Sequence, residues 1–219
     1  MIRQLILVPT DMERRALAAR LDGRLPDDAR MELCGFGLVA AAARAAGLVA
    51  ALRPERVILA GIAGRYGDSI ALGGAAIVER VACHGIGVGS GAAFVPAARL
   101  GWPQWPGDPS DPRVAIGDDL ACSVPRGHRL LRVPLALSVA AASADPAEAA
   151  LRRATFPEAV CEEMEGFGVA VACRLTEVPL TILRGISNDA GDRDHARWRT
   201  HDALASAADL LVRIVEGVR

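Results

Sequence analysis

Two polar clusters interrupt an otherwise apolar chain with residue types that could bind and cleave a small molecule. One is Leu183-Arg184-Gly185-Ile186-Ser187-Asn188, running into Gly191-Asp192-Arg193-Asp194; the other is Glu163-Met164-Glu165-Gly166. A carboxylate accepts two vicinal hydroxyls at once, so Glu163 or Glu165 could hold a ribose while Met164 packs on the sugar's apolar face. The amide of Asn188 both donates and accepts, and could meet N7 and O6 of a 6-oxopurine together. The two clusters suggest a ribose and a base. Each also has a plainer reading: a carboxylate at a helix N-terminus is favoured by the dipole alone, and an Asn after a strand often caps a turn.

Thr10-Asp11-Met12-Glu13 follows the first apolar run, at the sheet edge where open α/β proteins bind ligands. The same spacing is a capping box, in which Glu13 merely satisfies a backbone N–H. Gly61-Ile62-Ala63-Gly64 reads as a turn after a strand, either a plain one or a loop whose N–H groups approach a ligand. It matches neither G-x-G-x-x-G nor a Walker loop. Asp192, Asp194 and His195 could suggest a metal, but a lone His with Arg193 between the carboxylates fits an ion-pair network better. His84, His128 and His201 stand alone in their segments, and no Ser elbow or Cys partner marks a nucleophilic triad. Trp102 and Trp105, in a Pro-rich loop, read as a pocket wall or, better, an oligomer contact.

The elements that must position these residues alternate. Apolar runs predict strands at 5–8, 31–34, 57–60, 75–81, 133–139 and 179–183, and helical patterns fall at 11–21, 39–52, 146–154, 167–175 and from there to a last helix ending near 218. That rhythm predicts the α/β class, with a mixed, mostly parallel twisted sheet flanked by helices. Residues 85–125, rich in Gly and Pro, are expected to be irregular. No repeat or linker divides the chain, and 219 residues suit one domain over 1–219.

Hydrophobic residues make up 52% of the chain and mean hydropathy is +0.26. No apolar run approaches the roughly 20 residues of a membrane span. The short, strand-like start lacks a secretory pattern, and a cytoplasmic location is expected. A net charge of −1 and a pI of about 6.4 give no footprint for nucleic acid or an anionic membrane, which leaves a small, weakly charged ligand. The five cysteines are scattered without C-x-x-C pairing, against a zinc site or a disulfide framework.

These motifs resemble those of the nucleoside phosphorylase and nucleosidase superfamily over nearly the whole chain. The likeness rests on residues 8–13, on Gly35-Phe36-Gly37, Gly61-Ile62-Ala63-Gly64, Phe156-Pro157, Glu163-Met164-Glu165-Gly166 and Arg184-Gly185-Ile186-Ser187-Asn188. Gly191-Asp192-Arg193-Asp194 with Arg197-Trp198 is similar to the futalosine hydrolases of its hydrolytic branch. The resemblance implies a three-layer α/β fold, cleavage of an N-glycosidic bond, a nucleoside as partner, no metal or organic cofactor, and a homo-oligomer, dimer or larger. By matching position it implies that Glu13 orients water, that Glu165 with Glu163 and Met164 holds the ribose, that Ala63 and Gly64 face the nucleophile, and that Asn188 with Ser187 meets the base.

Asn188 stands where adenine-releasing relatives carry Asp. An amide cannot pass a proton to the leaving base, and general acid catalysis is worth roughly 10²- to 10⁴-fold, so the resemblance points to hypoxanthine, which spreads its charge onto O6. Phosphorylases of the superfamily show Gly-Asp-Pro-x-Arg after the first strand; Pro9-Thr10-Asp11-Met12-Glu13-Arg14 here would repel phosphate and favours water. Ala140-Ala141-Ala142-Ser143 replaces an aromatic of the relatives, so Ser143 is expected beside the base and Phe167 in place of the missing ring. Arg193 is expected to neutralise a substrate carboxylate if it faces the pocket. The leading expectation is hydrolysis of futalosine to hypoxanthine and dehypoxanthine futalosine in menaquinone biosynthesis. The alternatives are a nucleosidase for 5′-substituted adenosines (methylthioadenosine, aminodeoxyfutalosine or an adenosylated lipid precursor) and a catalytically idle nucleoside-binding protein.

Overall fold

A computed structural model describes residues 2–21, 23–108, 114–125 and 130–216. The chain opens with β1 (Gln4–Val8), α1 (Asp11–Leu21), β2 (Ala29–Leu33), α2 (Leu38–Leu52) and β3 (Arg56–Arg65). β1 lies between β2 and β3, parallel to both, and β12 (Leu180–Asp189) runs parallel along the far side of β3. Strands buried on both faces read as continuous apolar runs, as β1 and the first halves of β3 and β12 do; β2, paired only to β1 among the described residues, carries Arg30 and Glu32 instead.

Alternation along each strand divides two cores. Leu5, Leu7, Val57, Leu59 and Ile182 point to one face, under α2 and α4 (Gly166–Leu175). Ile6, Val8, Ile58, Ala60 and Leu183 point to the other, under α1 and α5 (Thr200–Glu216). This is a helix, sheet, helix sandwich. Fully buried Ala41 and Ala45 let α2 come close to α4, and the approach needs Gly168, where a Cβ would collide with the carbonyl of Leu38.

Beyond residue 60, β3 changes partner. Its end pairs antiparallel with β11 (Ala159–Glu163), which is parallel to β10 (Leu135–Val139), itself parallel to β5 (Arg80–His84). β4 (Ala75–Val78) is antiparallel to β12, and only Glu79 separates it from β5. The path therefore runs from β3 through β12 and β4 into β5, β10 and β11, and returns to β3. A third core, including Tyr66, Leu135, Leu137 and Ala149 of α3 (Pro146–Thr155), fills this side.

The structure corrects several expectations and adds one strand that was not expected. Residues 61–64 are not a turn but a continuation of β3, because β11 and β12 supply hydrogen-bond partners on both sides. The apolar run ending at residue 183 continues as strand to Asp189. β11 was not expected, since its apolar run is only Ala159-Val160-Cys161 before Glu162 and Glu163 carry carboxylates into a buried strand. Within 85–125, short strands β6 (Gly87–Val88), β7 (Val95–Pro96) and β8 (Asp119–Ala121) appear, and β9 (Arg132–Val133) follows. The last helix is described to Glu216; its expected end near 218 lies outside the described residues. Among the described residues no helix is long and apolar enough to cross a membrane.

Candidate active site

A cavity of about 280 Å³ opens at the C-terminal ends of β1, β3 and β12, the ligand edge of an α/β sheet. Glu13 enters from α1, Ala63 and Gly64 from β3, Met164 and Glu165 from the β11–α4 junction, and Ser187 and Asn188 from β12. Its size is near the roughly 300 Å³ at which small-ligand pockets begin.

Glu13 performs the plain task and lines the cavity as well. Its backbone N–H donates to Thr10 Oγ1 (3.3 Å), while its Oε2 accepts from Thr10 N (3.1 Å) and Thr10 Oγ1 (2.6 Å), closing the capping box. Oε1 accepts from Ile62 N–H at 3.0 Å, which fixes the buried carboxylate over β3. That placement depends on Gly61. A Cβ there would come within 2.9 Å of Glu13 Oε1 and collide with Arg184 Nη1.

Glu163 and Glu165 divide their roles. Glu163 Oε2 accepts from the N–H groups of Glu165 (3.0 Å) and Gly166 (2.7 Å) and from Arg184, and its Oε1 accepts from Ser138. It caps α4 and is fully engaged. Burial alone would raise its pKa, but Arg184, Ser138 and the helix N–H groups outweigh burial and hold it below the ordinary carboxylate range. Glu165 accepts from Gly37 N–H at 3.0 Å and lies 3.5 Å from Arg184 Nη2. Burial, reinforced by the charges of Glu163 and Glu13 against the pull of Arg184, pushes it up to about 7. Arg184 is fully buried, and its Nε and Nη1 have no partner among the described residues. The charges of Glu163, Glu165 and Glu13 raise its pKa against burial.

A bulge aims the amide. The register of β12 against β3 passes from Ile186 opposite Ala63 to Asn188 opposite Gly64, leaving Ser187 as the extra residue. Ser187 Oγ donates to Asn188 Oδ1 (2.7 Å), and Asn188 Nδ2 donates to the carbonyl of Asp189 (2.9 Å). One Nδ2 proton is left for the cavity.

At the rim, Arg193 lies 5.2 Å over the ring of Trp198, and both line the cavity. The expected ion-pair network exists, but its cation is Arg197, which takes Asp192 (2.8 Å) and Asp194 (3.3 Å). Arg193 has no carboxylate within 4.0 Å among the described residues and is left facing the pocket mouth. Met12 and Phe36, 53% and 65% exposed, complete an apolar rim.

Two expected site residues are elsewhere. Ser143 does not line the cavity; it is fully buried behind the wall, donating to Glu162 from its N–H (2.7 Å) and hydroxyl (2.6 Å). Phe167 is buried in the core beneath α2, because as the second residue of α4 it points into the helix packing. The aromatic rings on the cavity are Phe36 and Trp198. Sequence reasoning missed Arg184, a charge within an apolar strand that holds Glu163 from behind the cavity, and Glu162, which lines it. The unusual presence of charge in a buried run was the available signal.

Among the described residues, His84 packs against Phe94 at 4.5 Å, and His201 is exposed; His128 lies outside them. Burial pushes the five thiols up to about 12, so none supplies a thiolate at neutral pH.

The phosphorylase superfamily profile matches residues 27–218. The futalosine hydrolase of Streptomyces coelicolor is 33% identical over 87% of this chain and 80% of its own. That of Thermus thermophilus is 35% identical over 83% of this chain and 78% of its own. Among solved structures, the 5′-methylthioadenosine/S-adenosylhomocysteine nucleosidase from Neisseria meningitidis in complex with methylthio-immucillin-A superposes with a TM-score of 0.76, at 21% identity, over 99% of this chain and 100% of that one.

Proposed function

The chain belongs to the phosphorylase superfamily, and from that premise we propose that it hydrolyses the N-glycosidic bond of futalosine, releasing hypoxanthine and dehypoxanthine futalosine for menaquinone biosynthesis. One observation carries the reading: Glu13, Glu165 and Asn188, delivered by separate elements, line one cavity of about 280 Å³. The futalosine hydrolase relatives at 33% and 35% identity support the substrate.

The C–N bond lengthens toward an oxocarbenium-like ribosyl group. Glu165 holds the sugar hydroxyls, and Asn188, oriented by Ser187, donates to the departing base. Glu13, which lines the cavity, orients water and takes its proton. Three carboxylates, Glu13, Glu163 and Glu165, face one guanidinium, Arg184, at this wall, so phosphate would meet net negative charge. Water is the nucleophile. Arg193 meets the carboxylate of the 5′ substituent while Phe36 and Trp198 take its apolar part. One nucleosidase domain spans 1–219 as a cytoplasmic homo-oligomer, a reading supported by free thiols, buried at Cys34, Cys83, Cys161 and Cys173, and by exposed Val88, Trp102 and Trp105.

The test is base release from futalosine with and without phosphate. Hypoxanthine appearing at the same rate in both bears the proposal out. Dependence on phosphate, or futalosine bound but left intact, refutes it, the latter favouring the idle binding protein.

A further inference from the structure

We infer that Glu162 reads the base: its carboxylate accepts the N1–H of a 6-oxopurine, so that Glu162 and Asn188 grip opposite parts of one edge. This rests on the reading of the cavity as a purine nucleoside site. Glu162 of β11 is directly opposite Gly64 of β3, and Gly64 is opposite Asn188 of β12. In-register neighbours share a face, so Glu162 and Asn188 stand on the same side with a residue lacking a side chain between them. Two strand spacings set their backbones roughly 10 Å apart. Val139, Ala142 and Met164 add apolar walls to this end of the cavity. A slot floored by glycine, with an amide on one side and a carboxylate on the other, suits the edge of a flat heterocycle.

The hydrogen bonds of Glu162 give the slot its polarity. Oε2 accepts from Tyr66 Oη (2.7 Å), Ser143 Oγ (2.6 Å) and Arg152 Nη1 (3.1 Å), whereas Oε1 accepts only from Ser143 N–H (2.7 Å). Burial and the charge of Glu162 raise the Tyr66 pKa, which keeps the phenol a donor. These donors fix the carboxylate in place and leave Oε1 with capacity for one more proton. The Ser143 N–H is consumed by Glu162, so the group that Glu162 turns to this end of the cavity is an acceptor. A 6-oxopurine presents N1–H there. A 6-aminopurine presents a bare N1, whose lone pair would face the carboxylate. Ser143 is thus a positioning residue behind the base reader.

The test is calorimetric binding of hypoxanthine, adenine and 1-methylhypoxanthine to the parent, and of the first two to Glu162→Gln. The parent should bind hypoxanthine at least roughly tenfold more tightly than adenine or the methylated base, and Glu162→Gln should lose roughly 10- to 100-fold in hypoxanthine affinity without equal loss for adenine. The inference is overturned if the parent binds the methylated base as tightly as hypoxanthine, binds no base, or if the variant weakens both bases alike. The methylated base decides the matter on the parent alone if the variant does not fold. Free-base binding needs no turnover, so a protein that discriminates the bases but leaves futalosine intact defeats the hydrolase reading and not this one.

Discussion

Glu13 is the residue on which the plain and the chemical readings meet. Its bonds to Thr10 use one carboxylate oxygen and its bond from Ile62 N–H the other, so Glu13→Gln, with a single amide oxygen, cannot keep both. Losing one such hydrogen bond costs about 1 kcal/mol, whereas losing a general base costs roughly 10²- to 10⁴-fold in kcat. The variant should melt slightly lower and turn over far more slowly; a rate loss no larger than the stability loss would return Glu13 to a purely structural role. Glu165 sets the pH dependence. Its pKa in the folded empty site is about 7 against an ordinary 4.5, so its contribution to stability is complete below 4.5 and is lost as pH rises through 7. The proposed role, in which the ionised carboxylate accepts the ribose hydroxyls, makes activity run the other way: kcat/KM should fall on acidification with a limb near 7. A limb near 4.5 would contradict it. Glu163, Glu165 and Asn188 were legible as polar residues at apolar boundaries. Glu162 and Ser143 were not, because only the register of β11 against β3 puts Glu162 on the cavity face and Ser143 behind it.

At the scale of elements, Gly61 joins the sheet to the site. A methyl group there must displace both Glu13 and Arg184, the latter fully buried, so Gly61→Ala should cost about 1 to 3 kcal/mol and lower kcat together. Denaturant melts and turnover on the same preparation check this, and an unchanged kcat would mean that the site tolerates the shift. The first halves of β3 and β12 were readable because both their faces are covered by helices and demand apolar residues. The second halves leave the helical layers for β11 and the cavity, where glycine, serine and asparagine replace valine and leucine, so the same strands read as loops. The bulge at Ser187 leaves no compositional trace, yet it aims Asn188.

For the whole molecule, alternation along the apolar runs and the intervening helices foretold the helix, sheet, helix layering. The return of the sheet path through β4 and β5 was not readable, because the strands that carry it are short and joined only through Glu79. That return brings β11 against β3 and so brings the carboxylate wall, the amide and the apolar rim around one cavity. The proposed function requires that this cavity hydrolyse 6-oxopurine nucleosides in preference to 6-aminopurine ones. The most direct measurement is competition in one vessel: equal concentrations of futalosine and methylthioadenosine, no phosphate, and the two free bases followed by chromatography. Hypoxanthine should exceed adenine by roughly 100-fold or more in initial rate, as expected where buried polar groups would be left unpaired by the wrong base. Adenine released at an equal or greater rate would contradict the account.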